Sequence, residues 1–308
     1  MSKESSRMAN IILLAVCLLA GVGLRKTGRF PAATPAALNA FIIHISLPAL
    51  TILHIHNMKL DTSLALTASM AWLLFGCAWA FFSCAGKVFK LDRETVGALI
   101  LVAGLGNTSF VGLPMIEAYF GKEYLGIGII ADQLGSFMVL STLGILVATF
   151  YSSGNVSPRQ MARKVLMFPP FQALIFVLLL KPVHFPDWSV TILEKLGSTL
   201  TPLALVSVGF QLQFGGIKAE LKPLTAGLIY KLLLGPAIIY LLYVSLLGAA
   251  GTVVQVTIFE AAMAPMITAG IIAIDHDLKP QLVGMLVGIG IPLSFVTLYF
   301  WHMFLTSI

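Results

Sequence analysis

Charge is what this sequence has least of. Only 10% of its 308 residues are Asp, Glu, Lys or Arg, where a water-soluble domain carries roughly a quarter. With 58% of the residues hydrophobic, that scarcity argues against a soluble domain and places the chain in lipid. Cysteine is scarce as well. Cys17, Cys77 and Cys84 lie inside or at the ends of apolar runs, an odd number at no metal-type spacing, which argues against a disulfide framework or a zinc site. The net charge of +6 comes from basic residues scattered between apolar runs, not from a patch interleaved with aromatics, so nucleic acid is not an expected partner. There is no His-Glu-x-x-His pair, Gly-x-Ser-x-Gly elbow, Walker loop or dinucleotide fingerprint feeding a soluble domain. No enzyme, metal or cofactor is expected, and an intramembrane hydrolase built on Ser109 or Asp132 would lack a matching acid or base.

What the sequence does have is apolar length. A spanning helix needs about 20 mostly apolar residues, and ten stretches qualify: 9–24, 35–56, 62–86, 95–120, 123–150, 163–181, 190–213, 220–247, 252–274 and 280–304. The run at 9–24, preceded by Lys3 and Arg7, looks like a signal peptide, but cleavage would remove the first of ten spans, so a retained helix is expected. Counting basic residues in alternate loops gives 12 on one side and 6 on the other. The richer side is expected to be cytoplasmic, which puts both termini in the periplasm of a multi-pass inner-membrane protein.

Two of the spans are interrupted. The fourth contains Ala103-Gly-Leu-Gly-Asn-Thr-Ser-Phe-Val-Gly-Leu-Pro114, with Gly106, Gly112 and Pro114 as helix-breaking residues, and the ninth contains Phe259-Glu-Ala-Ala-Met-Ala-Pro265. The second and seventh spans share a Leu-Pro or Thr-Pro step, at Pro48 and Pro202. The halves therefore match as five plus five: 1–151, a cytoplasmic loop at 152–162, and 163–308. Because five is odd, the second unit must enter from the opposite side, which makes the repeats inverted. The expected fold is an all-α polytopic membrane protein of ten transmembrane helices in two inverted repeats.

Where a spanning helix breaks, the next half starts with unpaired N–H groups that favour an anion. Asn107, Thr108 and Ser109 at the first break, with Pro265, Met266 and Thr268 at the second, are the candidate binding residues for a carboxylate. A pair of kinks that merely ease packing is the plainer alternative. Asp132, Gln133, Lys231 and Glu260 also fall inside spans, where a charge is costly and usually faces an interior path. They are candidates for coupling or gating. The plainer alternative for Lys231 is a static ion pair with Asp132 or Glu260.

At Gly106-Asn-Thr-Ser-Phe-Val-Gly-Leu-Pro114, Leu47-Pro48, Thr201-Pro-Leu-Ala-Leu205 with Gly209, Lys231-Leu-Leu-Leu-Gly-Pro236 and Ala262-Met-Ala-Pro265, the chain resembles the auxin efflux carrier family over nearly its whole length. That resemblance implies an NhaA-like fold in which helices 4 and 9 cross at their breaks. Spans 1, 2, 6 and 7 would form a scaffold, and spans 3–5 with 8–10 a moving transport domain. It also implies a secondary carrier for a small organic anion, working as an elevator in a homodimer, with proton, sodium or no coupling. A sodium-coupled bile-acid or steroid symporter on the same fold, and a receptor or channel that does not cycle, are the alternatives.

Overall fold

The computed structural model describes residues 3–58, 63–152, 159, 163, 166–212 and 220–307. The polar stretch expected as a loop at 152–162 lies outside them, apart from Ser152 and Arg159. All regular elements among the described residues are helices, as a chain in lipid requires, since backbone N–H and C=O groups there must be satisfied within the segment.

In chain order the first half gives α1 (Lys3–Lys26), α2 (Thr34–Phe41), α3 (Leu47–Asn57), α4 (Ser63–Val88), α5 (Arg93–Gly104), α6 (Leu113–Tyr119), α7 (Leu125–Ile130), α8 (Phe137–Val139) and α9 (Ile145–Tyr151). The second half gives α10 (Pro169–Leu179), α11 (Asp187–Gly197), α12 (Leu200–Gln211), α13 (Leu221–Ile229), α14 (Gly235–Tyr240), α15 (Thr252–Ala261), α16 (Ile267–Asp275) and α17 (Pro280–Thr306). Several of these join through wider π turns into longer helices. Among the described residues five stretches, three of them joined in this way, are long and apolar enough to cross a bilayer: Thr34–His56, Leu64–Val88, Lys122–Tyr151, Leu221–Leu246 and Pro280–Thr306. Pro169–Leu179 and Thr252–Ala261 are shorter apolar helices.

Three of the π turns have a local cause. Those at Ile42–Ser46, Thr108–Gly112 and Tyr230–Leu234 each end two residues before a proline, at Pro48, Pro114 and Pro236. Proline lacks an N–H and its ring crowds the carbonyl four residues back. Widening the preceding turn, so that Leu47 N–H reaches the Ile42 carbonyl and Gly235 N–H the Tyr230 carbonyl, keeps the helix continuous past the obstruction.

The chain forms two compact units. The first comprises Met1–Leu60, Ser109–Ile129 and Lys164–Leu212. Its closest packing joins α1 and α12 through glycine: a β carbon on Gly21 would stand 2.2 Å from the Val206 carbonyl oxygen, and one on Gly209 would stand 2.1 Å from that of Leu18. Small residues are what let helices approach this closely in lipid. The expected seventh span at 190–213 is interrupted between α11 and α12. Ser198 and Thr199 turn their hydroxyls back onto the Lys195 and Leu196 carbonyls (2.8 and 2.5 Å), and Pro202 follows. These side chains compete with the helix for its own acceptors.

The second unit comprises Asp61–Thr108, Ile130–Arg163 and Gln213–Ile308. Hydroxyls join its helices: Thr67 pairs with Thr257 (2.7 Å) and Ser69 with Tyr243 (2.8 Å), while Tyr230 donates to the Leu74 carbonyl (2.8 Å). At its polar edge Asp92 caps α5 by accepting from the Thr95 N–H (2.8 Å) and pairs with Lys279 at 2.7 Å. Partial burial pushes the Asp92 carboxyl up, but the hydrogen bonds from Lys279 and Thr95 outweigh it and hold the group below its ordinary value. The bond to Asp92 correspondingly holds Lys279 above its ordinary value.

Candidate functional site: a crossing of two broken helices

The second unit contains both breaks. α5 ends at Gly104, and Leu105 is extended, with φ −118° and ψ 141°. α15 ends at Ala261, and the chain re-enters a helix only at Ile267, after Met266 in the extended region. The two interruptions face each other as a single antiparallel rung between Gly106 and Pro265. Asn107 N–H donates to the Ala264 carbonyl (2.8 Å), and Met266 N–H donates to the Leu105 carbonyl (3.2 Å). Unpaired backbone groups are very costly at membrane depth. Here each break supplies the other's missing partners.

Glycine makes the approach feasible. A β carbon on Gly104 would lie 2.9 Å from Ala78 Cβ, and one on Gly106 would lie 3.1 Å from Lys231 Nζ and 3.3 Å from the Glu260 carbonyl oxygen. On α17, a β carbon on Gly290 would lie 2.7 Å from two ring carbons of Pro265. Sequence reasoning missed Gly290, because a lone glycine in an apolar helix carries no address for what it touches.

Lys231 completes the crossing. The last four carbonyls of a helix have no partner within it. In α15, Ala262 N–H serves those of Ile258 and Phe259 (both 3.1 Å), and Met263 N–H serves that of Glu260 (3.2 Å). The fourth, Ala261, accepts from Lys231 Nζ at 2.9 Å. The lysine is fully buried and sits in a π turn. A cation at this end also offsets the partial negative charge of the helix terminus. The ammonium thus bonds to a backbone carbonyl, and its charge acts on the Glu260 carboxyl through space and not through the hydrogen-bonded pair of the plainer alternative.

The remaining predicted residues fall as follows. Thr108 Oγ1 donates to Asp132 Oδ1 at 2.6 Å, with both side chains buried, so a binding candidate and a coupling candidate are directly bonded. Gln133 is buried beside Asp132 in the π turn Ala131–Ser136. Glu260, in the last turn of α15, is fully buried. Asn107 is 2% exposed. Pro265 and Met266 lead into α16, where Thr268 is the second residue and half-buried; Met266 offers no side-chain cap to the helix start. Gly106 and Pro265 lie in the breaks themselves. Gly112 and Pro114 lie past the first break, where the backbone widens into a π turn without leaving the helix. Ser109 belongs to the other unit, where it opens the segment Ser109–Ile129.

The first unit has a cavity of its own, of about 730 Å³, lined among others by Leu50, His54, Glu117, Lys122, Glu194 and Thr201. Glu117 accepts from Thr201 Oγ1 (2.9 Å) and lies 3.6 Å from Lys122.

Broken apolar helices whose interrupted backbones satisfy one another are the construction of membrane transport proteins. The chain matches the model of the membrane transport protein family over residues 6–302, and it belongs to that family, the auxin efflux carriers its motifs resemble. Two relatives are similar along their whole length. An uncharacterised transporter of Methanothermobacter thermautotrophicus is 26% identical over 299 residues, covering 96% of this chain and 97% of the relative. An uncharacterised transporter of Methanocaldococcus jannaschii is 24% identical over 300 residues, covering 94% and 96%.

Proposed function

We propose that this membrane transport protein is a secondary carrier that moves a small organic anion across the inner membrane by alternating access. The observation that carries this reading is the crossing. Leu105–Asn107 of one break stand against Ala264–Met266 of the other, and the start of α16 offers backbone N–H groups that no side chain of its N-cap residue occupies. A helix start of this kind, in a low-dielectric setting, suits a carboxylate. In this reading Asn107 and Thr108, with the backbone around Pro265, Met266 and Thr268, hold the carboxylate, and Asp132 with Gln133 orients Thr108. The chain is taken as ten spans in two inverted repeats, with a scaffold and a moving domain, both termini periplasmic, and a homodimer as the working assembly. No enzymatic turnover and no cofactor enter the cycle.

Counterflow in proteoliposomes tests the proposal. A carrier exchanges external labelled carboxylate for internal unlabelled carboxylate without net driving force, and Asn107→Ala should abolish that exchange. A wild-type protein that conducts net current without exchange would make it a channel. Chemical conversion of the ligand would make it an enzyme.

A further inference from the structure

The crossing contains one ionisable group whose role the carrier reading does not fix. The Glu260 carboxyl is fully buried, and neither of its oxygens has a hydrogen-bond partner among the described residues. Lys231, the nearest cation in the site, donates to the Ala261 carbonyl instead. α15 packs against α4, α14 and α17. The ionisable groups on these elements and the segments joining them are Cys77, Cys84 and Lys87 on α4, Tyr230, Lys231, Tyr240 and Tyr243 around α14, and Tyr299 and His302 on α17. His302 meets the ring of Phe259 edge-on, and the hydroxyls of Tyr230 and Tyr243 donate to backbone carbonyls. The charges that act on Glu260 are Lys231 and, with the same sign as its own, Asp132.

Two buried acids and one buried lysine leave one negative charge over if all are ionised. An uncompensated charge at this depth is strongly unfavourable. The cluster therefore needs one more positive charge. Among the described residues no three His, Cys, Asp or Glu side chains converge as metal ligands, and the Lys231 ammonium already stands at Gly106. A proton fits. Between the two acids, Asp132 accepts a 2.6 Å bond from Thr108, which favours its ionised form, while Glu260 receives no donor that would favour a carboxylate.

We infer that Glu260 holds a proton in the resting protein, and that this proton is what an incoming carboxylate is coupled to. The second clause rests on the carrier reading; the first does not. With Glu260 protonated, Asp132 and Lys231 cancel and the crossing accepts one anion. When Glu260 loses its proton to water, a second negative charge opposes the ligand. Linkage is reciprocal, so anion affinity should fall by about tenfold per pH unit above the Glu260 titration midpoint, and a bound anion should raise proton occupancy. Lys231 is a structural cap in this scheme and not the proton carrier.

Infrared spectroscopy of the purified full-length protein tests this directly. The wild type at neutral pH should show a protonated-carboxyl C=O band that shifts in deuterated buffer and is missing in Glu260→Gln. Glu260→Asp, which should move the band, serves as the assignment if the glutamine variant does not fold. No such band in the wild type, a band that survives Glu260→Gln, or a band removed by sodium at fixed pH and ionic strength overturns the inference, the last in favour of a sodium site. Binding of acetate, malonate and indole-3-acetate, read by thermal shift across pH, tests the coupling. The wild type should lose affinity as pH rises, and Glu260→Gln should bind independently of pH. Binding that ignores pH in the wild type overturns the coupling. A Glu260 band with no carboxylate bound at any pH supports the protonation while overturning the carrier reading.

Discussion

The two breaks meet the same requirement with different chemistry. The first is short, Leu105–Asn107, with Gly104 before it and Gly106 within it, and it carries its polar groups with it: Asn107 in the break and Thr108 directly after, bonded to Asp132. The second, Ala262–Met266, is longer and almost wholly apolar. It borrows what it needs from elsewhere in the unit: a lysine from the Tyr230–Leu234 turn for the carbonyl of Ala261, a gap at Gly290 for the Pro265 ring, and the backbone of the first break for its own N–H and C=O. The lesson is a division of labour. The first break offers side-chain chemistry, and the second offers a bare helix start.

Substitutions at four positions sharpen that contrast. The largest effect on function is expected from Asn107→Ala, which should eliminate carboxylate exchange with little loss of fold, since the backbone bond to Ala264 does not need the side chain; uptake in proteoliposomes checks it. Lys231→Met should cost stability, about 1–3 kcal/mol, by leaving the Ala261 carbonyl buried and unserved; thermal unfolding in detergent reads it, and Lys231→Arg should restore less than the full loss because the planar head fits a single carbonyl poorly. Gly290→Ala should cost about 1–3 kcal/mol by driving a methyl into Pro265, and a normal melting curve would show that the proline ring is not fixed there. Thr108→Val should weaken carboxylate binding more than stability, because it removes the 2.6 Å bond to Asp132 while keeping the shape.

The smallest effect lies away from the breaks. The Asp92–Lys279 pair is partly exposed, so it should contribute no more than ~0.5 kcal/mol and weaken with salt. Asp92 titrates below its ordinary value in the folded chain. Its contribution is therefore present above the ordinary carboxylate range and is lost as pH falls through the lowered folded value. Lys279, held above its ordinary value, keeps its contribution below the ordinary lysine range and loses it as pH rises through the raised one. Lys279→Ala should flatten the acid limb of the melting profile slightly.

Much of this was legible in the sequence, for reasons that also mark where legibility ends. Glycine and proline inside apolar runs announced both breaks, because lipid tolerates irregular backbone only where it is satisfied by protein or water. Proline alone does not announce one: Pro292 sits inside α17 without interrupting it, and Pro114 is absorbed by a π turn. The register of Gly106 against Pro265 could not be read, since it depends on two segments about 160 residues apart meeting in space. Lys231 was identified as a buried charge, but its partner is a backbone carbonyl, and every residue has one of those. The interruption before Leu200 was missed because Ser198 and Thr199 read as ordinary polar residues in a span until their hydroxyls are seen bonding back to the previous turn.

The most direct test of the central claim is ligand-induced stabilisation of the purified protein by a panel of carboxylates, compared between wild type and Asn107→Ala. Binding to the folded state alone raises stability by RT ln(1 + [L]/Kd), about 2.7 kcal/mol at a hundredfold excess over Kd. The account predicts a carboxylate-specific rise in melting temperature that disappears in the variant. An equal rise in both proteins, or a rise only with uncharged ligands, would contradict a carboxylate site at the crossing.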